Sequence, residues 1–482
     1  MAVVSPYPNY RDSGLPWMPS IPAHWNMVRA KNLASLIQTG PFGSQLHNHD
    51  YIHGGIPVVN PLHLVAGRIK PSTKARVSEK KAAELSRHKL QLGDIVFARR
   101  GDLGRSAVVT GKEVGWLCGT GSVLFRPLKV AHPEFISHLV ATPMYKGLLL
   151  AGSVGSTMAN LNPATFNSLP IPLPPRPEQD QIVAYLRAQD AHIARFIQAK
   201  RALIKLLTEQ KLAIIDRAVT RGLNPNVRLK PSGIDWLGEV PEHWEVALIK
   251  HVADVRFSGV DKHSHDHEIP VRLCNYTDVY KNDRITDDMD LMRATATAAE
   301  IARLTLKAGD VILTKDSETP DDIGVPAWVP EDLPGVVCAY HLGLLRPVPD
   351  RVLGEFLFRA IGSARTAQQF HVLATGVTRF ALGKHDVKNA VIALPPIAEQ
   401  EAICRWITDE CQPLDDAIAR TEEEIKLIRE YRDRLIADVV TGQVDVRGWR
   451  PGPDDVASDE ELAALGDDGE EALDAEDGDG ED

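Results

Sequence analysis

The strongest constraint on this chain is that it repeats itself. Ser13-Gly14-Leu15-Pro16-Trp17, followed by Ile21-Pro22-Ala23-His24-Trp25, returns as Ser232-Gly233-Ile234-Asp235-Trp236, followed by Val240-Pro241-Glu242-His243-Trp244. Leu173-Pro174-Pro175-Arg176-Pro177-Glu178-Gln179 returns at nearly the same offset as Leu394-Pro395-Pro396-Ile397-Ala398-Glu399-Gln400. A period of roughly 220 residues is a whole domain with a long helix, not a solenoid repeat. Two similar but non-identical units suit the reading of two things at a fixed separation. They suit a single active site poorly.

Composition adds limits. The 482 residues, 44% of them hydrophobic, are enough for two or more cores. No apolar run approaches the roughly 20 residues of a membrane span. The start, Met1-Ala2-Val3-Val4-Ser5-Pro6, has neither a basic region nor a signal-length apolar stretch, so a cytoplasmic protein is expected. Cys118, Cys274, Cys338, Cys404 and Cys411 form no C-x-x-C pair and are odd in number, which argues for reduced core residues. The net charge of −11 is set by the C-terminus: from Pro451 onward there are 15 Asp and Glu and no Lys or Arg, and subtracting them leaves +4 on the body. A mildly basic body is compatible with a phosphate-rich partner and equally with many metabolic enzymes.

Each repeat runs in the same order: a Pro/Trp-rich opening, a mixed region with short strands, a Pro-rich hinge and a long helix. Strands are expected at Ile56-Pro57-Val58-Val59, Asp94 to Ala98 and Ser122 to Phe125. Their counterparts are Ile269-Pro270-Val271, Asp310 to Leu313 and Leu342 to Leu345. Helical patches fall at Glu79 to Leu90 and Thr297 to Leu306. The expected fold class is mixed α/β: two similar domains joined by two long helices packed as an antiparallel coiled coil. The expected boundaries are 1–175 for the first domain, 176–226 for hinge and spacer helix, 227–395 for the second domain and 396–447 for the distal hinge and helix. The remainder, 448–482, is expected to be an acidic solvated tail.

The helices carry a heptad seam. After Pro413, Leu414, Ile418, Thr421, Ile425, Ile428, Leu435 and Val439 recur at steps of four and three, skipping Arg432. The earlier copy reads Ile193, Ile197, Lys200, Ile204, Leu207, Lys211, Ile214 and Ala218. Neither seam can be buried by one helix, so the two are expected to pack on each other. A first helix from roughly Asp190 to Arg221 would be about 46 Å long. That exceeds one turn of B-DNA, about 34–36 Å, so the pair suits a ruler between two half-sites as well as plain glue.

No phosphate-binding Gly-Lys loop, dinucleotide fingerprint, G-x-S-x-G elbow or H-E-x-x-H is present, which points to a binder. His47-Asn48-His49-Asp50 and His263-Ser264-His265-Asp266 match in position. Their residue types can ligate zinc, but an exposed polar loop is the simpler reading, and no metal site is assigned. Basic loops are better candidates. Arg99, Arg100 and Arg105 follow a strand, with Lys315 in the matched segment; arginine reads guanine, holds phosphate, or simply lies on a solvated loop. Phe42, Ser44 and Gln45 form a polar-aromatic loop, and Arg379 precedes the second hinge. Trp17, Trp25, Trp236 and Trp244 are read as packing residues before stacking platforms.

The hinge residues Pro174, Pro175, Glu178 and Gln179, their copies Pro395, Pro396, Glu399 and Gln400, the Ser232 to Trp244 segment and the two helices resemble the specificity subunit of Type I restriction–modification systems. The resemblance covers roughly residues 12 to 447, and Gly40 to Leu46 is also similar to a segment recurring in such domains. It implies a non-catalytic DNA-binding subunit with two target-recognition domains reading a bipartite, asymmetric double-stranded DNA sequence. It implies helices that set the spacer and dock two adenine-N6 methyltransferase subunits, joined by a restriction subunit that translocates and cleaves. S-adenosylmethionine, ATP and Mg would belong to those partners. A related phage-defence or single-chain restriction-methylation module and a duplicated protein–protein scaffold are the alternatives. The acidic tail departs from the family pattern.

Overall fold

The computed structural model describes residues 5–154, 160–161, 163–320, 322–453, 455–458, 461–462 and 464–466. Two compact units divide it: Met1–Ala202 with Glu422–Asp482, and Leu203–Thr421. Both long helices are divided between the units near their middles, so each unit holds part of each helix.

The duplication is a duplication of sheets. In the first unit a four-stranded antiparallel sheet runs Ser106–Val108, Ile95–Ala98, Ser122–Pro127, Ala34–Thr39. The second unit runs Pro326–Trp328, Val311–Thr314, Leu342–Pro347, Ala253–Phe257, which is the same order. A smaller sheet with one parallel pairing accompanies each. Leu117–Cys118 joins Tyr51–Val59 in one unit, and Val336–Cys338 joins Ile269–Cys274 in the other. The expected strands are all present. The helical patches are shorter than expected, ending at Glu84 and Leu304. All five cysteines are unpaired and buried.

Each unit closes on a strand pair that precedes a long helix. Asn26–Arg29 pairs with Pro170–Leu173, and Glu245–Leu248 pairs with Val391–Leu394. The helices follow at once, Arg176–Arg221 and Ile397–Val440, well ahead of the expected starts near Asp190 and Pro413. The reason is local. The Pro-Pro pair blocks helical extension backward. The Pro175 carbonyl then accepts from Glu178 N and Gln179 N, as Pro396 does from Glu399 N and Gln400 N. The hinge is therefore a helix N-terminus, with Glu178 and Glu399 in the first turn, where the helix dipole favours a carboxylate. Pro413 lies inside the second helix, which continues through it.

The repeated Trp motif and the repeated hinge meet each other. Glu178, 8% exposed, accepts from Trp25 Nε1 at 3.0 Å, His24 Nε2 at 2.7 Å and Tyr7 Oη at 2.7 Å. Burial, with the bond to Glu178, pushes the Tyr7 hydroxyl far above its usual range. In the second unit Glu399 accepts from Trp244 Nε1 at 3.0 Å and His243 Nε2 at 2.8 Å. Gln179 accepts from His132 N and donates to Val130 O and Pro174 O; Gln400 accepts from Leu353 N and donates to Arg351 O and Pro395 O. Trp25 and Trp244 are each 1% exposed, in keeping with the packing reading.

The seam is legible in burial. Ile193, Ile197, Ile425, Leu435 and Val439 are buried, and Ile204, Leu207, Ile214, Ile418 and Ile428 are half-buried. Within the first unit, Arg432 bonds Asp190 at 2.6 Å and Lys200 pairs with Glu424, so the helix segments there run antiparallel. Arg432 therefore occupies a seam position as a paired cation. Within the second unit Lys211 bonds Asp415 at 2.8 Å. The tail starts later than expected. Trp449 is 9% exposed, joins the core of the first unit and meets the Tyr185 ring edge-on. Asp455 bonds His192 at 2.7 Å and Glu461 bonds Arg195 at 3.2 Å, so the described part of the acidic segment lies on the first helix. The rest of the tail expectation, from 467 onward, falls outside the described residues.

The locks are unequal: the Glu178 side chain is 7% exposed with three donors, that of Glu399 29% exposed with two. Glu178→Ala strands two buried donors, Tyr7 and Trp25, besides the exposed His24, and is expected to cost about 2–4 kcal/mol. Glu399→Ala is expected to cost about half as much. Hydrogen exchange at the amides of each helix start reads the two separately; equal losses would sink this account.

Candidate nucleic-acid interface

The loops that follow the central strands are where the two units diverge on one frame. Arg99 leaves the strand Ile95–Ala98, accepts a backbone bond from Leu161 N at 3.0 Å and donates its own N–H to Gly121 O at 2.7 Å. Lys315 leaves Val311–Thr314, accepts from Leu382 N at 2.8 Å and donates to His341 O at 3.0 Å. Arg99 and Lys315 are thus equivalent, and so are Gly121 and His341.

In the first unit the three arginines have different standings. Arg99 is half-buried and its Nε donates to Leu161 O at 3.0 Å, so it ties the loop to the strand pair Ser153–Val154 and Asn160–Leu161. Burial, and then the neighbouring Arg100, lower its pKa from the usual arginine range. Arg105 faces Asp102 at 3.6 Å, a carboxylate that also meets Lys146 at 3.5 Å. Arg100 is exposed, with no hydrogen bond among the described residues. Gly101, at φ +71°, turns the chain there, a conformation glycine adopts without cost.

The second candidate loop is anchored by close packing. A Cβ on Gly40 would lie 1.7 Å from the Gly119 carbonyl oxygen, so only glycine fits. Beyond it Phe42 is 60% exposed, an unusual position for a phenylalanine, and Gln45 is exposed. Ser44 lies in the turn Gly43–Gln45, but its side chain falls outside the described residues.

In the second unit Lys315 is engaged within the fold. Its Nζ donates to Asp316 Oδ2 at 2.6 Å and sits 4.9 Å from the Tyr340 ring centroid. The same oxygen meets His341 Nδ1 at 2.6 Å. Asp316–Ser317 pairs with Phe380–Ala381, which pairs with Thr375–Gly376. Exposed Arg379 lies in the turn between the last two. Lys315 and Arg379 each adjoin a strand of this one small sheet, and Lys315 lies beside Tyr340 and His341, which sequence reasoning does not single out. Their signal is the Tyr-His pair shortly after Cys338. It is unreadable in the sequence because what singles the pair out, the bond of His341 to Asp316 and the contact of Tyr340 with Lys315, exists only in the fold. The matching first-unit turn, 155–159, lies outside the described residues.

Two other arginines are structural. Arg126 bonds Asp94 through Nε and Nη2 at 2.8 Å each, and Arg346 bonds Asp310 at 2.8 and 2.7 Å. Those bonds push both guanidinium groups above their usual range. His47 and His49 stack at 5.1 Å, and among the described residues no group of three His, Cys, Asp or Glu is placed to hold a metal.

The unequal standings give a prediction. Arg100→Ala is expected to lower DNA affinity and reduce the salt slope of log K by about 1, the signature of one lost phosphate contact. Arg99→Ala is expected to loosen the loop instead. Fluorescence anisotropy across a salt series checks this; an unchanged slope for Arg100→Ala removes it from the interface.

Residues 22–206 match the model of the Type I restriction modification DNA specificity domain. A Methanocaldococcus jannaschii protein named as the type I restriction enzyme MjaX specificity subunit is 23% identical over 89% of this chain and 95% of its own length. The type I restriction enzyme EcoKI specificity subunit of Escherichia coli K12 is 22% identical over 73% of each chain. A chain from a solved structure addressing complex assembly and conformational transition of the type I R-M system has the same fold, with a TM-score of 0.58 over 88% of this chain and 99% of that one, at 17% identity. Over residues 22–206 the chain is thus similar to the Type I restriction modification DNA specificity domain, and its fold is shared with the chain of the type I R-M structure.

Proposed function

We propose that the chain is the non-catalytic reader of a bipartite, asymmetric double-stranded DNA target, each unit reading one half. The observation that carries this is the pair of equivalent loops: one backbone frame, held by matching bonds, bears Arg99, Arg100 and Gly121 in one unit and Lys315, Asp316 and His341 in the other. Two readers of different sequences need that combination, because base edges are discriminated by side chains while phosphate contacts set register. Phe42, Gln45, Arg100 and Arg379 are the exposed groups we assign to DNA, and Arg99 and Arg105 shape the first loop. Lys315 acts through Asp316.

The two long helices are proposed to form the antiparallel ruler between the half-sites and to dock two adenine-N6 methyltransferase subunits, through which a restriction subunit joins. Exposed Leu203, Leu206 and Leu212 on the first helix support a protein partner there. S-adenosylmethionine, ATP and Mg are assigned to the partners.

Methylation sequencing of a naive genome expressing this chain with its cognate methyltransferase tests the reading. Modified adenines on both strands of one split motif are the expected result. No new methylation from a soluble, associated complex would turn the assignment toward a protein–protein scaffold.

The ruler has its own test. The pairs 190–432, 200–424 and 211–415 make 201–207 and 418–424 matching heptads on the two helices. Deleting both heptads keeps the seam in register and removes about 10 Å of rise, roughly three base pairs. A spacer shortened by about three base pairs is expected; an unchanged spacer rules the ruler out.

A further inference from the structure

His341 is one of three non-glycine residues with positive φ among the described residues, with Ala66 and Asp350, and its φ is +70°. That conformation is disfavoured for a residue with a Cβ and persists where the surroundings impose it, often at functional sites. The equivalent place in the first unit holds Gly121. The second unit therefore carries a bulky ring where the first carries no side chain at all.

The ring is held and partly presented. Asp316 Oδ2 takes His341 Nδ1 at 2.6 Å, and the side chain remains 35% exposed. The same oxygen is charge-balanced by Lys315 Nζ at 2.6 Å. Tyr340, 47% exposed, lies with its ring centroid 4.0 Å from that of His341 and beside Lys315. Asp316 in turn sits on the strand that pairs with the Arg379 hairpin, so an exposed cation flanks the group. Among the described residues no hydrogen bond occupies His341 Nε2.

We propose that His341 is a base-reading residue of the second unit, oriented by Asp316, whose Nε2 accepts a hydrogen bond from the exocyclic amino group of adenine or cytosine in the major groove. A carboxylate can only accept, so Nδ1 carries the proton toward Asp316, and in that tautomer Nε2 is the acceptor. In the major groove adenine N6 and cytosine N4 are donors, whereas guanine and thymine offer only acceptors and a methyl group. Tyr340 supplies an apolar wall beside the ring, and Arg379 a cation for an adjoining phosphate. The inference rests on the reading of the chain as a bipartite DNA reader.

The test uses the full chain with its methyltransferase partner in a naive genome, comparing wild type, His341→Ala and His341→Asn; Asn tolerates positive φ and guards against misfolding. Gln45→Ala, which removes an exposed carboxamide able to pair with an adenine edge, marks the half-site of the first unit. Both His341 variants are expected to relax one adenine or cytosine position in the other half-site, raising methylation of the excluded bases to within roughly two- to twelve-fold of the preferred one. The spacer and the first half-site stay as they are. An unchanged motif in both variants overturns the inference, as does relaxation at a guanine or thymine, or uniform loss of methylation in both. A wild type that yields no split motif defeats the underlying reading, and the inference with it; a wild type with one and unaltered variants defeats the inference alone.

Discussion

The buried carboxylate at each helix start is the contact on which the rest depends. Glu178 is held by Trp25, His24 and Tyr7, and through it the opening segment, the closing strand and the first turn of the long helix become one object. A carboxylate this deep is costly unless its lone pairs are met, and here three donors meet it beside a helix N-terminus. Gln179 adds three bonds to backbone groups that no regular ladder serves. The second unit repeats the arrangement with fewer donors and more solvent. The Trp motif and the hinge lie at opposite ends of each unit's sequence and recur in both copies because each is half of one contact.

This explains what can be read from the chain alone. The repeats, the strands and the seam follow from local patterns that any copy must keep: strands need β-branched runs, and a seam needs apolar residues at steps of three and four. The helices start earlier than the seam suggests because their first turns serve the domain core as well as the other helix. Ile182, Val183 and Leu186 are buried in one cluster with strand residues such as Ile171 and Leu173 and with Leu435, Ile436 and Val439. A seam pattern has nothing to say about a stretch that packs on a sheet.

The candidate site is less legible, for a physical reason. Loop residues are constrained by what they must contact outside the chain, so their spacing carries no periodicity. Counting cations selects Lys315, yet that ammonium is committed to Asp316 and the Tyr340 face. It misses His341, whose significance lies in its backbone angle and in its equivalence to Gly121. The register of the strands Ser122–Pro127 and Leu342–Pro347 gives the equivalence, but the positive φ and the bond to Asp316 that give it meaning exist only in the fold. Arg99, Arg100 and Arg105 look alike in sequence; bonds to Leu161 and Asp102 separate them.

Charge follows the same logic of commitment. The body carries many more cations than its surplus of +4 suggests, and those at structural places are already paired: Arg126 with Asp94, Arg346 with Asp310, Arg432 with Asp190. The described acidic segment adds to this by taking His192 and Arg195 on the first helix. Exposed Arg100 and Arg379 on the loops beyond the central strands have no such carboxylate among the described residues, and neither do exposed Lys31, Lys80 and Lys262 elsewhere. Pairing elsewhere sharpens the contrast between loop and frame, because a phosphate backbone gains most where a cation is not already neutralised. Net charge is therefore a poor guide to such a chain: an anionic partner would gain most from the cations that the fold has left without a carboxylate.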